Sequence, residues 1–169
     1  MGLYQPMPME LETGRLVLRP WAESDAGDYR ALIAERDNGT VSAETAGERI
    51  AAQLATSERT GIGLLAVRRR DEGDFIGYCG LIVGRASADE PEIAYELFRR
   101  VHGHGYATEA ARAVVEAAAM TGRKRLWATV GDWNTPSLRV LEKLGFHRDH
   151  ADPDQDGHGE RIWLTRTLP

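Results

Sequence analysis

The chain has 169 residues, of which 42% are hydrophobic and 28% charged. At that length about 70% of the unfolded surface can be buried, enough for one domain with a full core, which excludes a disordered chain, a collagen-like fibre and a disulfide-built miniprotein. A net charge of −5, from 21 basic and 26 acidic residues, argues against a nucleic-acid partner. No apolar run approaches the roughly 20 residues of a membrane span. Met1 to Glu10 has neither the basic nor the apolar region of a secretory leader, and Cys79 is the single cysteine, so a cytoplasmic location is expected.

Residues 1–11 read as a loose leader before one domain over 12–169. Arg15 to Arg19 is a short strand with Leu16 and Leu18 on one face, ended by Pro20. Ser24 or Asp25 then caps a helix that turns Tyr29, Leu32 and Ile33 inward and breaks at Asp37-Asn38-Gly39. Ser42 opens a second helix whose small or apolar positions are Ala43, Ala46, Gly47, Ile50, Ala51 and Leu54. Leu64 to Arg68 and Phe75 to Val83 form a hairpin around Asp71-Glu72-Gly73-Asp74, and Glu92 to Phe98 is the next strand.

Ala107, Ala110, Ala111, Val114, Val115 and Ala118 step through a long helix that Gly122 stops. Leu126 to Val130 is a strand, and Thr135 reads as the N-cap before Pro136. Leu138, Leu141 and Leu144 face inward on that helix, and Gly145 ends it. Phe146 to His150 and Arg161 to Thr167 make a last strand pair. This mixed order, with adjacent hairpins, predicts an α/β or α+β sheet with helices on both faces rather than an all-parallel one.

The densest chemical signal is Arg100-Val-His-Gly103-His-Gly105-Tyr-Ala-Thr108, where a strand ends, two glycines follow and a long helix begins. Glycines admit positive φ and close approach of a ligand, and a helix start offers unpaired N–H groups to phosphate. The Lys-Ser or Lys-Thr of a Walker loop is absent, and Thr108 stands where a dinucleotide fingerprint needs its third glycine. The plainer alternative is a turn whose glycines serve tight packing.

Around this turn the chain resembles the GNAT N-acetyltransferase superfamily, in the branch that includes ribosomal-protein N-terminal acetyltransferases. The resemblance rests on R-x-x-G-x-G followed by Tyr-Ala-Thr-Glu-Ala, on Glu12 to Trp21, on Gly73 to Leu81, on Glu92-Ile-Ala-Tyr95 and on Asn134 to Phe146, all in the family's order. It implies a mixed, V-splayed sheet of six or seven strands with the pantetheine arm of acetyl-CoA between the fourth and fifth. It implies that His102, Gly103, His104, Gly105, Tyr106 and Ala107, with Arg100 opening the motif, hold the pyrophosphate. Leu97 and Phe98 would hydrogen-bond pantetheine through their backbone, and Asn134 and Ser137 would contact its other side. His102 and His104 depart from the family, which usually has Trp or Arg before Gly103 and Lys or Arg after it, implying less fixed positive charge on the phosphates.

Transfer of an acetyl group to an amine needs a proton acceptor, N–H groups for the oxyanion and, optionally, a proton donor to the departing sulfur. Glu92 matches the E of the family's E-I-x-Y and is the first base candidate; its alternative is a solvent-facing strand carboxylate. Glu96, on the same strand face, comes second, and Glu109 reads as structural. A superfamily tyrosine that protonates sulfur would fall at Leu141; Ser137, one turn earlier on that helix face, could donate instead, or no acid is used. Cys79 reads as a buried inert thiol. His147, His150 and His158 lack ligand spacing, and Asp152-Pro-Asp-Gln-Asp-Gly157 imitates a calcium loop without its twelfth-position Glu, so no metal is expected. That loop, with Asp152, Asp154, Asp156 and Glu160, would instead draw a cationic amine.

The expected activity is acetyl-CoA-dependent N-acetylation of a protein N-terminus or a small-molecule amine by direct attack in a ternary complex. A non-catalytic acyl-CoA-binding module is the alternative. Neither nucleic acid nor membrane is expected as a partner, and a homodimer is allowed because dimers are frequent in the resembled branch.

Overall fold

A computed structural model of the chain describes residues 3–37, 39–154, 157 and 159–169. The N-terminal half of its sheet is built from β1 (Leu11–Glu12), β2 (Leu16–Arg19), β3 (Leu64–Arg69), β4 (Phe75–Ile82) and β5 (Glu92–Leu97). Strands β6 (Arg125–Gly131), β7 (His147–Pro153) and β8 (Glu160–Thr167) complete it, in the order β1-β2-β3-β4-β5-β6-β8-β7. The helices are α1 (Ala26–Asp37), α2 (Ala43–Thr60), α3 (Tyr106–Ala119) and α4 (Thr135–Lys143). Among the described residues the sheet thus has eight strands rather than six or seven, one of them the two-residue β1.

Leu16 and Leu18, alternating along β2, are both fully buried, while Arg19 points out. Ser42 caps α2 by accepting from the Thr45 N–H at 3.0 Å, as its sequence position predicts. The buried stripe of α2 is narrower than its small residues suggested. Ala46 and Ile50 are buried, but Ala43 and Ala51 are exposed and Leu54 is 39% exposed. A single 3-10 turn, Glu23–Asp25, precedes α1, so the helix starts at Ala26 and neither Ser24 nor Asp25 acts as its simple cap. Asp25 is buried instead, accepting from the Ala22 N–H at 2.8 Å and pairing with Arg68.

Along α3 the buried Ala110, Ala111, Ala117 and Ala118 let the helix approach the sheet closely, and Val114 and Val115 each contribute about 1.5–3 kcal/mol by burial. Asn134, not Thr135, is the N-cap of α4: its side chain accepts from the Ser137 N–H at 3.3 Å, with Thr135 and Pro136 already in the first turn. Within the described residues the leader is anchored at two points rather than loose. Met7 is 2% exposed, and the Gln5 and Met7 amides donate to Thr121 and Gly61.

One junction departs from regular pairing. Strands β4 and β5 share a register from Gly77↔Leu97 to Ile82↔Glu92, whereas the parallel pair β5 and β6 meets only at Glu92↔Trp127, with the Trp127 N–H donating to Pro91. Beyond that point β5 and β6 diverge, and the sheet opens as a V. Along β5, Tyr95 reaches Ser137 on α4 and Glu96 reaches Arg36 on α1, so the two helix pairs cover opposite faces. No helix among the described residues is long and apolar enough to cross a membrane.

Candidate active site

The V between β5 and β6 is bordered by the glycine turn at one end and by α4 across from it. The carbonyl of Glu96 lies 2.0 Å from where a Cβ on Gly77 would stand, so it points at β4. By the alternation of a strand, Leu97 turns its polar groups the other way, into the V. Its carbonyl is within 3.0 Å of the His102 ring nitrogen Nε2. Phe98 differs from expectation: its N–H donates to Ile76 and its carbonyl accepts from Val101, because it is already entering the Arg99–Val101 turn. Leu97 is therefore the member of the pair whose main chain faces the opening.

Gly103 and Gly105 adopt φ of 82° and 81°, and Gly105 is the N-cap of α3. Packing does not require these glycines. A Cβ on Gly103 would meet nothing within 4 Å, and one on Gly105 would meet only Arg15 Nη2, at 3.5 Å. What they provide is left-handed backbone on an open surface. The first hydrogen bond of α3 runs from the Glu109 N–H to Gly105, so the amides of Tyr106, Ala107 and Thr108 precede the helical ladder. His104 lies beside Tyr106, with ring centroids 5.9 Å apart.

Arg100 turns away from this surface. It pairs with Asp74 at 2.9 Å, donates to the Phe75 carbonyl and lies over the Phe98 ring. A cation that does border the turn is Arg15, 4.4 Å from the centre of the Tyr106 ring, a residue the sequence places only in a strand. It is anchored by Glu109, which also accepts from Thr13 and the Arg15 amide. Partial burial would raise the Glu109 carboxyl, but these bonds outweigh it and hold the group below its ordinary value. Glu109 is thus structural, as expected.

Across the V, Ser137 Oγ is 2.9 Å from the Tyr95 hydroxyl. Burial pushes that phenol up to about 12, so it stays protonated at neutral pH. Tyr95 was read only as part of a family motif, yet it places a proton-bearing oxygen beside Ser137. Glu92, 4% exposed, accepts from the Thr129 hydroxyl at 2.7 Å and from the Arg85 amide, and has no ion pair among the described residues. Glu96 shares its strand face but is held by Arg36.

Strands β7 and β8 pair antiparallel as far as Pro153↔Glu160. Asp152 accepts from the Trp163 indole at 2.9 Å, and Asp154 lies 3.7 Å from Arg161. Trp163 stacks on His150 and meets Trp127 edge-on, which places aromatic surface next to β6. Asp156 and His158 lie outside the described residues. No group of three or more metal-ligating side chains occurs among the described residues. Cys79 is fully buried and desolvation raises its thiol well above the usual range, so it is inert.

Comparison with known proteins follows the same outline. The chain is 34% identical over 90 residues to YkkB of Bacillus subtilis (strain 168), an uncharacterized protein, an alignment spanning 52% of each chain. An acetyltransferase from Agrobacterium tumefaciens str. C58 is 29% identical and superposes with a TM-score of 0.78 over 98% of both chains. RimL, a ribosomal L7/L12 alpha-N-protein acetyltransferase solved with coenzyme A, is 14% identical and shares the fold, with a TM-score of 0.81 over 96% of this chain and 97% of its own. The family model for the acetyltransferase (GNAT) domain matches residues 15–147, and the chain belongs to that family.

Proposed function

We propose that this chain is an acetyl-CoA-dependent N-acetyltransferase acting on a primary amine by direct attack in a ternary complex. The observation that carries this reading is the open side of the glycine turn. Gly103 and Gly105 hold left-handed backbone over free space at the start of a 14-residue helix, an anion-binding arrangement that packing alone does not demand. In this reading His102 to Ala107 cradle the pyrophosphate, and Arg15, itself paired with Glu109, adds guanidinium N–H donors beside the turn. Leu97 aligns the pantetheine arm from one side of the V, Asn134 and Ser137 from the other. Coenzyme-bound relatives of the same fold, RimL with CoA among them, are consistent with this cosubstrate.

Acetyl-CoA, when bound, supplies an acyl thioester whose sulfur is the leaving group. Glu92 accepts the proton of the substrate ammonium, directly or through water. Its lack of a paired cation leaves it the better acceptor of the two strand carboxylates, since Glu96 is already held by Arg36. The Tyr95–Ser137 pair delivers a proton toward sulfur, filling the place of the tyrosine that is Leu141 here. A thiol of pKa about 8.5 can also leave unassisted, so this step modulates the rate rather than permitting the reaction. Asp152 and Glu160 favour approach of a cation from the hairpin side.

The test is thiol release from acetyl-CoA across a panel of amines and N-terminal peptides, with mass spectrometry of the acetylated product. Turnover with any acceptor supports the enzyme. Tight CoA binding without turnover on the panel would favour a non-catalytic binding module.

A further inference from the structure

A cavity of about 190 Å³ lies between α1, α2 and the sheet, on the face that carries Glu92 and Glu96. Its walls include Trp21, Tyr29 and Tyr78, with Arg36, Arg49 and Gln53 among the polar residues. The polar groups it offers are almost all donors. Trp21 is 5% exposed, and its indole N–H is buried with no hydrogen-bond partner among the described residues. Such a donor is destabilising unless something accepts from it. Gln53 spends its carbonyl oxygen on the Leu64 N–H at 3.2 Å, which leaves the NH₂ end for the cavity. Arg36 is neutralised by Glu96, but Arg49 has no ion pair among the described residues and makes only a long contact, 3.5 Å, to the Tyr29 hydroxyl.

The charge pattern decides what this cavity would take. Three aromatic rings alone would suit a cation, but an unpaired arginine on the wall and an orphaned N–H on one of the wall residues oppose one. We infer that the α1–α2 cavity binds a carboxylate on the acceptor, with Arg49 and the Trp21 N–H as its partners, so that the preferred substrates are amines carrying a carboxylate on an apolar frame. The inference rests on the acetyltransferase reading for the reaction itself, but not for the binding. Tyr78 is the cross-strand partner of Glu96, so the cavity adjoins the carboxylate-bearing strand.

The experiment measures binding by calorimetry to CoA-saturated protein, which cannot turn over. The probes are L-leucine and L-phenylalanine, each against its decarboxylated counterpart, 3-methylbutylamine and phenethylamine. At least one of the two amino acids should bind tenfold or more tighter than its amine, the size expected for a hydrogen-bonded charge. Arg49→Met, on an exposed helical position that methionine tolerates, should reduce that preference by about tenfold, and Trp21→Phe should reduce it in the same direction. Equal or weaker binding of both amino acids, or a preference unchanged in Arg49→Met, overturns the assignment. If the preference is present but no acetyl product forms in the turnover assay, the carboxylate site stands and the catalytic reading falls.

Discussion

Exchanging Glu92 for glutamine separates a catalytic from a structural carboxylate, because the two roles lose different quantities. The carboxylate accepts from the Thr129 hydroxyl and the Arg85 amide. Glutamine keeps the shape and can still accept from the amide while donating to the hydroxyl, which rotates to suit. Folding then loses only the difference between charge-assisted and neutral bonds, about 1–2 kcal/mol, or a fall in Tm of roughly 2–8 °C at this chain length. Loss of the proton acceptor is larger: kcat should fall about 10²- to 10⁴-fold, roughly 3–5 kcal/mol on the barrier, while CoA affinity is unchanged. Initial rates of thiol release from about pH 6 to pH 9, at a temperature well below both melting points, read the loss of kcat. Scanning calorimetry reads the loss of folding stability. If Glu92→Gln keeps kcat within about threefold and retains the acidic limb of the profile, the carboxylate only ties β5 to β6 and the preceding loop, and the base is Glu96 or water.

At the glycine turn, Gly105→Val should remove most CoA affinity in calorimetry, because the side chain fills the open side of the turn; a Gly105→Val protein that stays folded and binds CoA normally would refute the phosphate assignment. Tyr95→Phe and Ser137→Ala should each lower kcat about tenfold at unchanged CoA affinity, whereas a loss confined to affinity reduces the pair to cofactor contacts. For Asp74, hydrogen bonds from Arg69 and Arg100 hold the carboxyl down at about 2 against their ordinary carboxylate range. Because the folded value is depressed, its contribution is complete above the unfolded value of about 3.9 and disappears as pH falls through about 2. Asp74→Asn should therefore lower Tm at neutral pH by a few degrees, about 1 kcal/mol after solvent screening, and flatten the acid dependence between those values; equal losses at pH 7 and pH 2 would refute the linkage.

Much of the fold was legible because its signals are local. Leu16 and Leu18 alternate, the alanines and valines of α3 step at helical spacing, and Ser42 opens α2 with ordinary capping chemistry. Errors fell where two local signals competed. Asn134 and Thr135 are both good caps before a proline, and only the bond from the Ser137 amide decides for Asn134. At α1 the buried pair of Asp25 with Arg68 is a contact 43 residues apart in the chain, and it converts an apparent cap into part of a 3-10 turn. Met7 is buried by partners that lie far from it in sequence, so composition alone made its segment look loose.

The site divides along the same line. Its glycine turn is contiguous, and so could be recognised from nine successive residues. The side chains that complete it are not. Arg15 reaches the turn from the bend just before β2 and is fixed there by Glu109, 94 residues away, so no window along the sequence shows this cation beside Tyr106. On α4 the expected tyrosine position holds Leu141, which is 1% exposed and packs in the core, and the helix alone leaves only Ser137. The phenol comes from the opposite wall of the V, where Tyr95 crosses to that same serine. It can do so because β5 and β6 part after Glu92, and that divergence is a property of strand pairing rather than of either strand's sequence. The splay therefore does more than make room for a cofactor arm. It brings Tyr95 and Ser137 together on one face of the sheet, while Glu92 lies on the other, held there by the Thr129 hydroxyl and the Arg85 amide.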